Sequence, residues 1–315
     1  MKKIVLLSVL SLCVLFLQAQ DMKTYKFAER DTCSLYMDVY QPVQPNGYCI
    51  VYVFGGGFIG GERNNEYAVS YAKKLAEKGY VVVCNEYRLG LKGAKMDLTH
   101  VISSLENAIN LAVEDLFSAI SFVLKHADDL HVNADKIILT GSSAGAITVL
   151  EADYMQGNRF DLAKVLPEDF HFAGVMSFAG AIFSRNGKVK YRVSPPAPTM
   201  FLQGTCDNLV TYKKIRFANY GFFGTKPLVK QFQKFDYPFY ARRYEDLGHE
   251  AAALHLYEFD LSLWFIDNYV VKKRNLQIDE TINDPDVPRW KFGKVKPGRF
   301  IIRNGSFKKM RIFAH

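Results

Sequence analysis

The stretch Lys136 to Gly145, K-I-I-L-T-G-S-S-A-G, holds the pattern that decides the fold. Its first part, Ile137 to Leu139, is a short apolar run, as in a strand that is covered on both faces. A G-x-S-x-G pentapeptide follows, and Ala146 to Gln156 is compatible with a helix. A strand, this pentapeptide and a helix in that order predict a tight turn that presents a serine side chain.

The spacing of the pentapeptide selects Ser143, not Ser142, as the presented serine. Its neighbours at minus two and plus two, Gly141 and Gly145, have no side chain. Without such small neighbours the strand and the helix could not approach, and the hydroxyl could not stand clear of the backbone. A plain small-residue turn before a helix is the alternative interpretation, and the pentapeptide alone does not exclude it.

Composition and the N-terminal residues indicate an exported globular chain. The 315 residues are 49% hydrophobic, which suffices for one large core or two modest ones. Residues 1–20 combine a basic start, an apolar stretch and a small residue near the end, which predicts a secretory signal peptide. The apolar stretch is well short of the roughly 20 residues that span a bilayer, so we expect a periplasmic or extracellular protein without stable membrane insertion.

The net charge of +8 lies entirely in the C-terminal part of the chain. Residues 271–315 contain 12 Lys and Arg against 4 Asp and Glu, whereas residues 21–270 carry 26 basic and 28 acidic side chains. We therefore expect no nucleic-acid partner. We expect residues 271–315 to form a separate basic extension whose end resembles a β-hairpin around Asn304-Gly305, with solvated basic faces.

Strand-like and helix-like segments alternate over residues 25–270, which predicts one α/β domain with a mostly parallel sheet and helices on both faces. An irregular connection is expected over residues 183–198. The predicted strands are residues 35–40, 48–54, 80–84, 137–139, 172–178, 199–203 and 239–244, and the predicted helices are 66–78, a long one ending near 126, 146–156 and 250–269.

Two further side chains complete a candidate catalytic set. A serine hydroxyl needs a base, and the base needs a carboxylate that fixes its tautomer. Asp207 follows a predicted buried strand, and His249 alone among the histidines follows both a strand and a glycine. The carboxyl ends of parallel strands gather functional groups, so we expect Ser143, Asp207 and His249 to meet there.

Each partner of the serine has rivals. Asp207 is alternatively a turn aspartate that caps a helix beginning near Val210. Asp236 and Asp246 are rival acids, but neither ends an apolar strand. His255 lies within a predicted helix, where a packed histidine is the favoured interpretation.

The glycine run after Phe54 has two interpretations. Gly55, Gly57 and Gly60 satisfy G-x-G-x-x-G, which is a weak dinucleotide-binding fingerprint. Alternatively, the glycines let backbone N–H groups turn toward a developing negative charge, as in an oxyanion hole. We favour the oxyanion loop, because it also explains the serine, aspartate and histidine. No metal or organic cofactor is then required.

Together these motifs resemble the α/β-hydrolase carboxylesterases, in particular the esterase and lipase group that bears H-G-G-G. The resemblance implies an α/β-hydrolase fold, with Ser143 as nucleophile, His249 as base and Asp207 as orienting acid. It also implies an oxyanion hole made by Gly56, Gly57 and Ala144, and a bracing role for N-E-Y-R-L. One departure is Phe54, where the family has histidine. The matching motifs are Phe54 to Phe58, Asn85 to Leu89, Gly141 to Gly145, Gly204 to Asp207 and Gly248-His249.

Aromatic residues between the acid and the histidine are candidates for substrate contact, and packing under a small cap is the alternative for that cluster. Tyr191 and Met96 are further residues that we expect near the site. A Cys33–Cys49 disulfide is left open by the sequence. The predicted substrate-binding residues are Phe58, Ser142, Tyr212, Tyr220, Phe222 and Phe223.

The sequence thus predicts a serine carboxylesterase that acts through an acyl-enzyme. We expect a short-chain, aryl or carbohydrate-linked ester as substrate. A short-chain or soluble ester is favoured over triglyceride because there is no long inserted lid, and the aromatic cluster would suit an aromatic acyl group or a sugar. The alternatives are a serine peptidase on the same fold and a catalytically idle binding protein.

Overall fold

The computed structural model describes residues 21–94, 97 and 100–289. The helices in this part of the chain are α1 (Glu66–Ala76), α2 (Val101–Lys125), α3 (Ala144–Gly157), α4 (Thr225–Lys234) and α5 (Phe259–Phe265). The strands are β1 (Asp21–Arg30), β2 (Cys33–Gln41), β3 (Cys49–Val53), β4 (Val81–Asn85), β5 (Ile137–Ser142), β6 (Gly174–Phe178), β7 (Ala181–Ser184), β8 (Thr199–Gly204), β9 (Lys214–Phe217), β10 (Tyr220–Gly224), β11 (Phe239–Tyr244) and β12 (Gln277–Ile282).

A nine-stranded sheet runs through the described part in the order β1-β2-β4-β3-β5-β6-β8-β11-β12. The pairs β1–β2 and β2–β4 are antiparallel, and every following pair in that order is parallel. The predicted α/β fold with a mostly parallel sheet is therefore confirmed. A second, antiparallel sheet has the order β7-β10-β9.

Helices cover both faces of the large sheet. Gly180 follows β6, and a Cβ added there would meet both Oγ of Ser177 and the backbone of Ala146. Ser177, which lies on β6, therefore faces α3. The next residue, Phe178, instead contacts the ring of His255. Successive strand residues point to opposite faces, so α3 and the segment around His255 lie on opposite sides.

The central strands are buried because both of their faces are covered. Every residue of β3, β4, β6 and β8 is buried, as expected for apolar runs in a parallel sheet. The long helix α2 is apolar enough to span a membrane by length and composition, but it packs against β1 and α3. Its hydrophobicity is thus that of a core helix.

The sheet continues beyond the predicted domain end at residue 270, which was therefore placed too early. β12 pairs in parallel with β11, although it belongs to the predicted basic extension. Its alternating pattern directs Ile278 and Ile282 toward the core. Its acidic residues pair with the neighbouring strand, since Glu280 accepts from Arg242 at 2.6 Å.

The predicted continuous helix over residues 250–269 is wrong in part. The chain forms a 3₁₀ turn over His249–Ala253, then α5, then a π-helical turn over Ile266–Val271. Glu258 lies between the 3₁₀ turn and α5. Its side chain is buried and accepts hydrogen bonds from the side chains of Arg242 and Tyr244. This buried polar contact lies where the predicted helix is interrupted.

The small sheet replaces part of the predicted irregular connection. The last two residues of β7, Phe183 and Ser184, fall within residues 183–198, and all four residues of β7 are buried. β9 is exposed along its whole length and gives no strand pattern. Several sequence predictions lie outside the described residues: the signal peptide over residues 1–20, the hairpin around Asn304-Gly305, and the placement of Met96.

Candidate active site

Ser143 occupies a strained turn between β5 and α3. Its backbone has φ 54° and ψ −117°, a left-handed conformation that non-glycine residues adopt uncommonly. The close approach around it requires small neighbours. A Cβ on Gly145 would overlap the carbonyl oxygen of Val53, and a Cβ on Gly141 would overlap that of Gly145. The predicted serine turn is therefore present, with Ser143 at its apex.

Ser143, His249 and Asp207 form one chain of hydrogen bonds. Oγ of Ser143 lies 2.7 Å from Nε2 of His249, and Nδ1 of His249 lies 2.9 Å from Oδ2 of Asp207. An ionised carboxylate only accepts, so we assign the ring proton to Nδ1. Nε2 is then the acceptor for the hydroxyl proton of Ser143. The structure thus brings together the three predicted residues.

The loop that carries His249 is fixed from two sides. The backbone N–H of Cys206, next to the acid, donates to the carbonyl of Leu247 at 2.9 Å. Oγ of Ser142 donates to the carbonyl of Ala252 at 2.6 Å. Ser142 was predicted to bind substrate, but its hydroxyl instead links the serine turn to the histidine segment.

Asp207 combines the two roles that the sequence offered as alternatives. Its Oδ1 accepts from the backbone N–H groups of Leu209 at 3.0 Å and Val210 at 3.1 Å, which closes a turn and not the predicted helix. Its Oδ2 faces His249 and also lies 3.3 Å from Nε2 of Gln203. Sequence reasoning missed Gln203, since no local pattern indicates which buried amide will reach an acid.

The loop after β3 lies directly beside Ser143. Gly56 and Gly57 have positive φ values of 135° and 64°. A Cβ added at Gly55 would lie 2.8 Å from the carbonyl oxygen of Ser142, which shows how closely the loop packs on the serine turn.

In the glycine loop and at the start of α3, the backbone N–H groups of Gly56, Gly57 and Ala144 have no acceptor among the described residues. Ala144 is the first residue of α3, where an N–H is left unpaired by helix geometry. Unpaired donors beside a serine hydroxyl are what stabilisation of an oxyanion requires.

Phe54, which departs from the family pattern, braces this loop through stacking. Its ring lies 4.4 Å from that of Tyr87 with an interplanar angle of 24°, and the hydroxyl of Tyr87 donates to the carbonyl of Phe54 at 3.0 Å. Arg88 next to it binds the fully buried carboxylate of Asp115. The predicted bracing role of N-E-Y-R-L is therefore consistent with these contacts.

The structure corrects Phe58 as a predicted substrate-binding residue. Its side chain is 2% exposed and packs edge-on against Tyr87, and its carbonyl accepts from the backbone N–H of Leu91. Its φ of 59° turns the backbone so that the ring enters the core. Phe58 therefore supports the loop from inside.

The other predicted substrate-binding residues lie on or beside the small sheet. Tyr220, Phe222 and Phe223 belong to β10, and the ring of Phe183 on β7 contacts those of Tyr220 and Phe222 at 5.8 Å and 5.1 Å. Tyr212 and Phe223 are buried. These contacts favour the packing interpretation for the cluster.

Outside this hydrogen-bond chain, the described residues include free cysteines and a buried histidine. Among residues 21–94, 97 and 100–289, no group of three or more His, Cys, Asp or Glu side chains is arranged to hold a metal ion. The cysteines in this range, Cys33 and Cys49 included, are free thiols. The ring of His255 is enclosed by Tyr52, Tyr71 and Phe178, and burial lowers its pKa to about 4.

Comparisons with known proteins agree with the fold. Residues 37–183 match the family described as BD-FAE, a span that includes the glycine loop and Ser143. A curated relative, the fumonisin B1 esterase of Sphingopyxis macrogoltabida, is 33% identical over 121 residues, which cover 36% of this chain. The match spans only 21% of that relative's length.

Solved structures of Thermogutta terrifontis esterase 2 share the fold. The form phosphoramylated by tabun superimposes with a TM-score of 0.58 at 21% identity, covering 81% of this chain and 96% of the other. The butyrate-bound form has a TM-score of 0.55 at 19% identity, with 81% and 95% covered. The chain therefore has the α/β-hydrolase fold, and the proteins that it resembles over that fold are esterases.

Proposed function

We propose that this chain hydrolyses carboxylic esters through a covalent acyl-enzyme on Ser143. The observation that carries the proposal is the continuous chain of hydrogen bonds from Ser143 through His249 to Asp207, with distances of 2.7 Å and 2.9 Å. A hydroxyl that is hydrogen-bonded to an oriented imidazole is the arrangement that activates serine as a nucleophile.

In the first half-reaction, Oγ of Ser143 attacks the ester carbonyl while Nε2 of His249 accepts its proton. The buried carboxylate of Asp207 stabilises the imidazolium that forms. The N–H groups of Gly56, Gly57 and Ala144 face the charge that develops on the carbonyl oxygen. Removal of one such donor typically lowers turnover by a factor of roughly 10² to 10³.

The first half-reaction ends when His249 gives its proton to the leaving alcohol, and the second begins when His249 removes a proton from water. The resulting hydroxide attacks the acyl group on Ser143, which releases the acid and restores the enzyme. Besides the substrate and water, these steps use only the residues already described.

The names of the similar proteins support a proposal for the substrate class. We propose a short-chain or aryl ester of a small molecule or a carbohydrate. One structure of Thermogutta terrifontis esterase 2 is butyrate-bound and another is propionate-bound, which supports a short acyl group. The Sphingopyxis macrogoltabida relative is named for an ester of a small molecule, fumonisin B1.

The test is hydrolysis of 4-nitrophenyl acetate by the wild-type protein and by Ser143→Ala. We expect the variant to lose activity by a factor on the order of 10⁴ or more, because the nucleophile is removed. Ser142→Ala serves as the neighbouring control and should keep measurable activity, since Ser142 only ties the backbone of Ala252. Equal activity in wild type and Ser143→Ala would refute the proposal, and cleavage of aminoacyl amides alone would favour a peptidase.

We also propose that the protein is exported and that residues 1–20 are removed. The basic start and the short apolar stretch support this. N-terminal sequencing of the protein from an expressing bacterium should give a mature chain that starts near Asp21 in the exported fraction. An intact Met1 in the cytoplasmic fraction would contradict it.

A further inference from the structure

We infer that Gln203 is a positioning residue that holds the carboxylate of Asp207 in the orientation His249 requires. The inference rests on the proposed function, because it assigns a supporting role within that hydrogen-bond chain. Gln203 is the second-last residue of β8 and is fully buried. A buried amide must satisfy both its oxygen and its nitrogen, so its contacts are informative.

The orientation of the Gln203 amide is determined by its partners. The backbone N–H of Thr225 can only donate, and it lies 3.1 Å from Oε1. The carbonyl of Val210 can only accept, and it lies 2.8 Å from Nε2. The amide nitrogen therefore points toward Asp207, and its second hydrogen reaches Oδ2 at 3.3 Å.

The carboxylate of Asp207 thereby receives two hydrogen bonds on each oxygen. Leu209 and Val210 donate to Oδ1, while His249 and Gln203 donate to Oδ2. Without Gln203, Oδ2 would be held by the imidazole alone. The plane of the carboxylate would then be fixed only by the two donors to Oδ1, and the orientation of the His249 ring would be less well fixed.

Gln203 also ties three segments together at this point. Through Val210 it holds the turn that carries the acid, and through Thr225 it holds the start of α4. The residue touches the acid and not the serine or the glycine loop. It should therefore affect the chemical step and leave substrate binding unchanged.

The test replaces Gln203 by methionine, which has a similar shape and no amide, and in a second variant by asparagine, whose amide is one methylene too short. We expect kcat per active site to fall by about 10- to 100-fold in both, with KM within about twofold of wild type. Active sites are counted from the burst of 4-nitrophenol, so that loss of folded protein is not read as loss of rate.

Gln156→Met is the matched control. Gln156 is also a buried glutamine on a backbone carbonyl, that of Phe170, but it lies near the far end of α3, about 18 Å from Ala144 by helix geometry. We expect this variant to keep the wild-type kcat. A kcat loss in the Gln156 variant equal to that in the Gln203 variants would indicate a general structural effect and would overturn the inference.

A measurement that does not depend on hydrolysis separates this inference from the proposed function. A proton on Nδ1 of His249 that is bonded to a carboxylate should resonate far downfield in the ¹H NMR spectrum, and His249→Gln identifies the signal. We expect Gln203→Met to shift or broaden it, and Gln156→Met to leave it unchanged. If Gln203→Met left both the NMR signal and kcat unchanged, the inference would be overturned. If Gln203→Met shifted the signal but the wild-type protein had no esterase activity, the positioning role of Gln203 would stand and only the proposed function would be rejected.

Discussion

Replacement of Asp207 by asparagine separates the electrostatic role of the acid from its role in the turn. The amide oxygen of asparagine can accept the two bonds from the backbone N–H groups of Leu209 and Val210, so the turn is kept. The amide nitrogen then replaces Oδ2 and presents a donor to Nδ1 of His249. The imidazole must carry its proton on Nε2 instead, and it can no longer accept the proton of Ser143.

The size of the effect follows from this change of tautomer. Where an asparagine replaces the triad acid with its geometry intact, kcat falls by about 10³ to 10⁴. This corresponds to about 4 to 5.5 kcal/mol in the activation barrier. The free energy of unfolding should change less, by about 1 to 3 kcal/mol, because one new contact with Nε2 of Gln203 is donor to donor.

The assay compares kcat for 4-nitrophenyl acetate in the wild type, Asp207→Asn and Asp246→Asn. Asp246 is the matched control: it lies exposed on the histidine side of the same site, and its φ of 59° is tolerated by asparagine. We expect the Asp246 variant to stay within about threefold of wild type. Retention of more than a tenth of wild-type kcat in folded Asp207→Asn would refute the assigned role of Asp207.

Three further variants test other parts of the account. Gly145→Ala should lower kcat, and it should lower the free energy of unfolding by about 1 to 3 kcal/mol, because the added Cβ overlaps the carbonyl of Val53. Urea unfolding measures the change in stability. A variant as active and as stable as the wild type would contradict this prediction. Phe222→Ala should destabilise the fold by about 2 kcal/mol without raising KM if the ring packs on Phe183, whereas a raised KM with unchanged stability would place it at the substrate. Burial raises the pKa of the Glu151 carboxyl from 4.5 to about 8. The protonated carboxyl therefore contributes stability at low pH, and this contribution is lost as the pH rises from the unfolded-state pKa to the folded-state pKa. Glu151→Gln should therefore gain stability relative to wild type between pH 5 and pH 8, by an amount on the order of 1 kcal/mol per pH unit at most, and parallel pH profiles in urea unfolding would contradict the assignment.

The features that the sequence predicted best are those with a local pattern. The turn at Ser143 requires small neighbours two residues away, and that requirement is written in five consecutive residues. The central strands are covered on both faces, so they appear as uninterrupted apolar runs such as Cys49–Val53. Asp207 comes after such a strand, β8, whereas His249 comes after β11, which contains two partly buried arginines.

The features that the sequence did not reveal depend on contacts between distant segments. Gln203 reaches Asp207, Val210 and Thr225 because β8 and α4 are packed together, and nothing beside it in the chain indicates this. β12 joined the sheet through pairing with β11, although the composition of its surroundings indicated a solvated extension.

Backbone conformation accounts for the remaining errors. Phe58 is predicted from the sequence to bind substrate, but its positive φ turns the ring into the core. β9 has four exposed residues and no buried face, so its strand conformation is stabilised by pairing with β10 and not by periodicity.

The most direct test of the central claim is detection of the acyl group on Ser143. His249→Gln should still be acylated slowly by 4-nitrophenyl acetate, while loss of the base slows deacylation further, so the intermediate accumulates. Mass spectrometry after acid quench and digestion should show one added acetyl group on the peptide that contains Ser143, and none in the double variant that also carries Ser143→Ala. An acetyl group found only elsewhere, or equally in the double variant, would contradict the account.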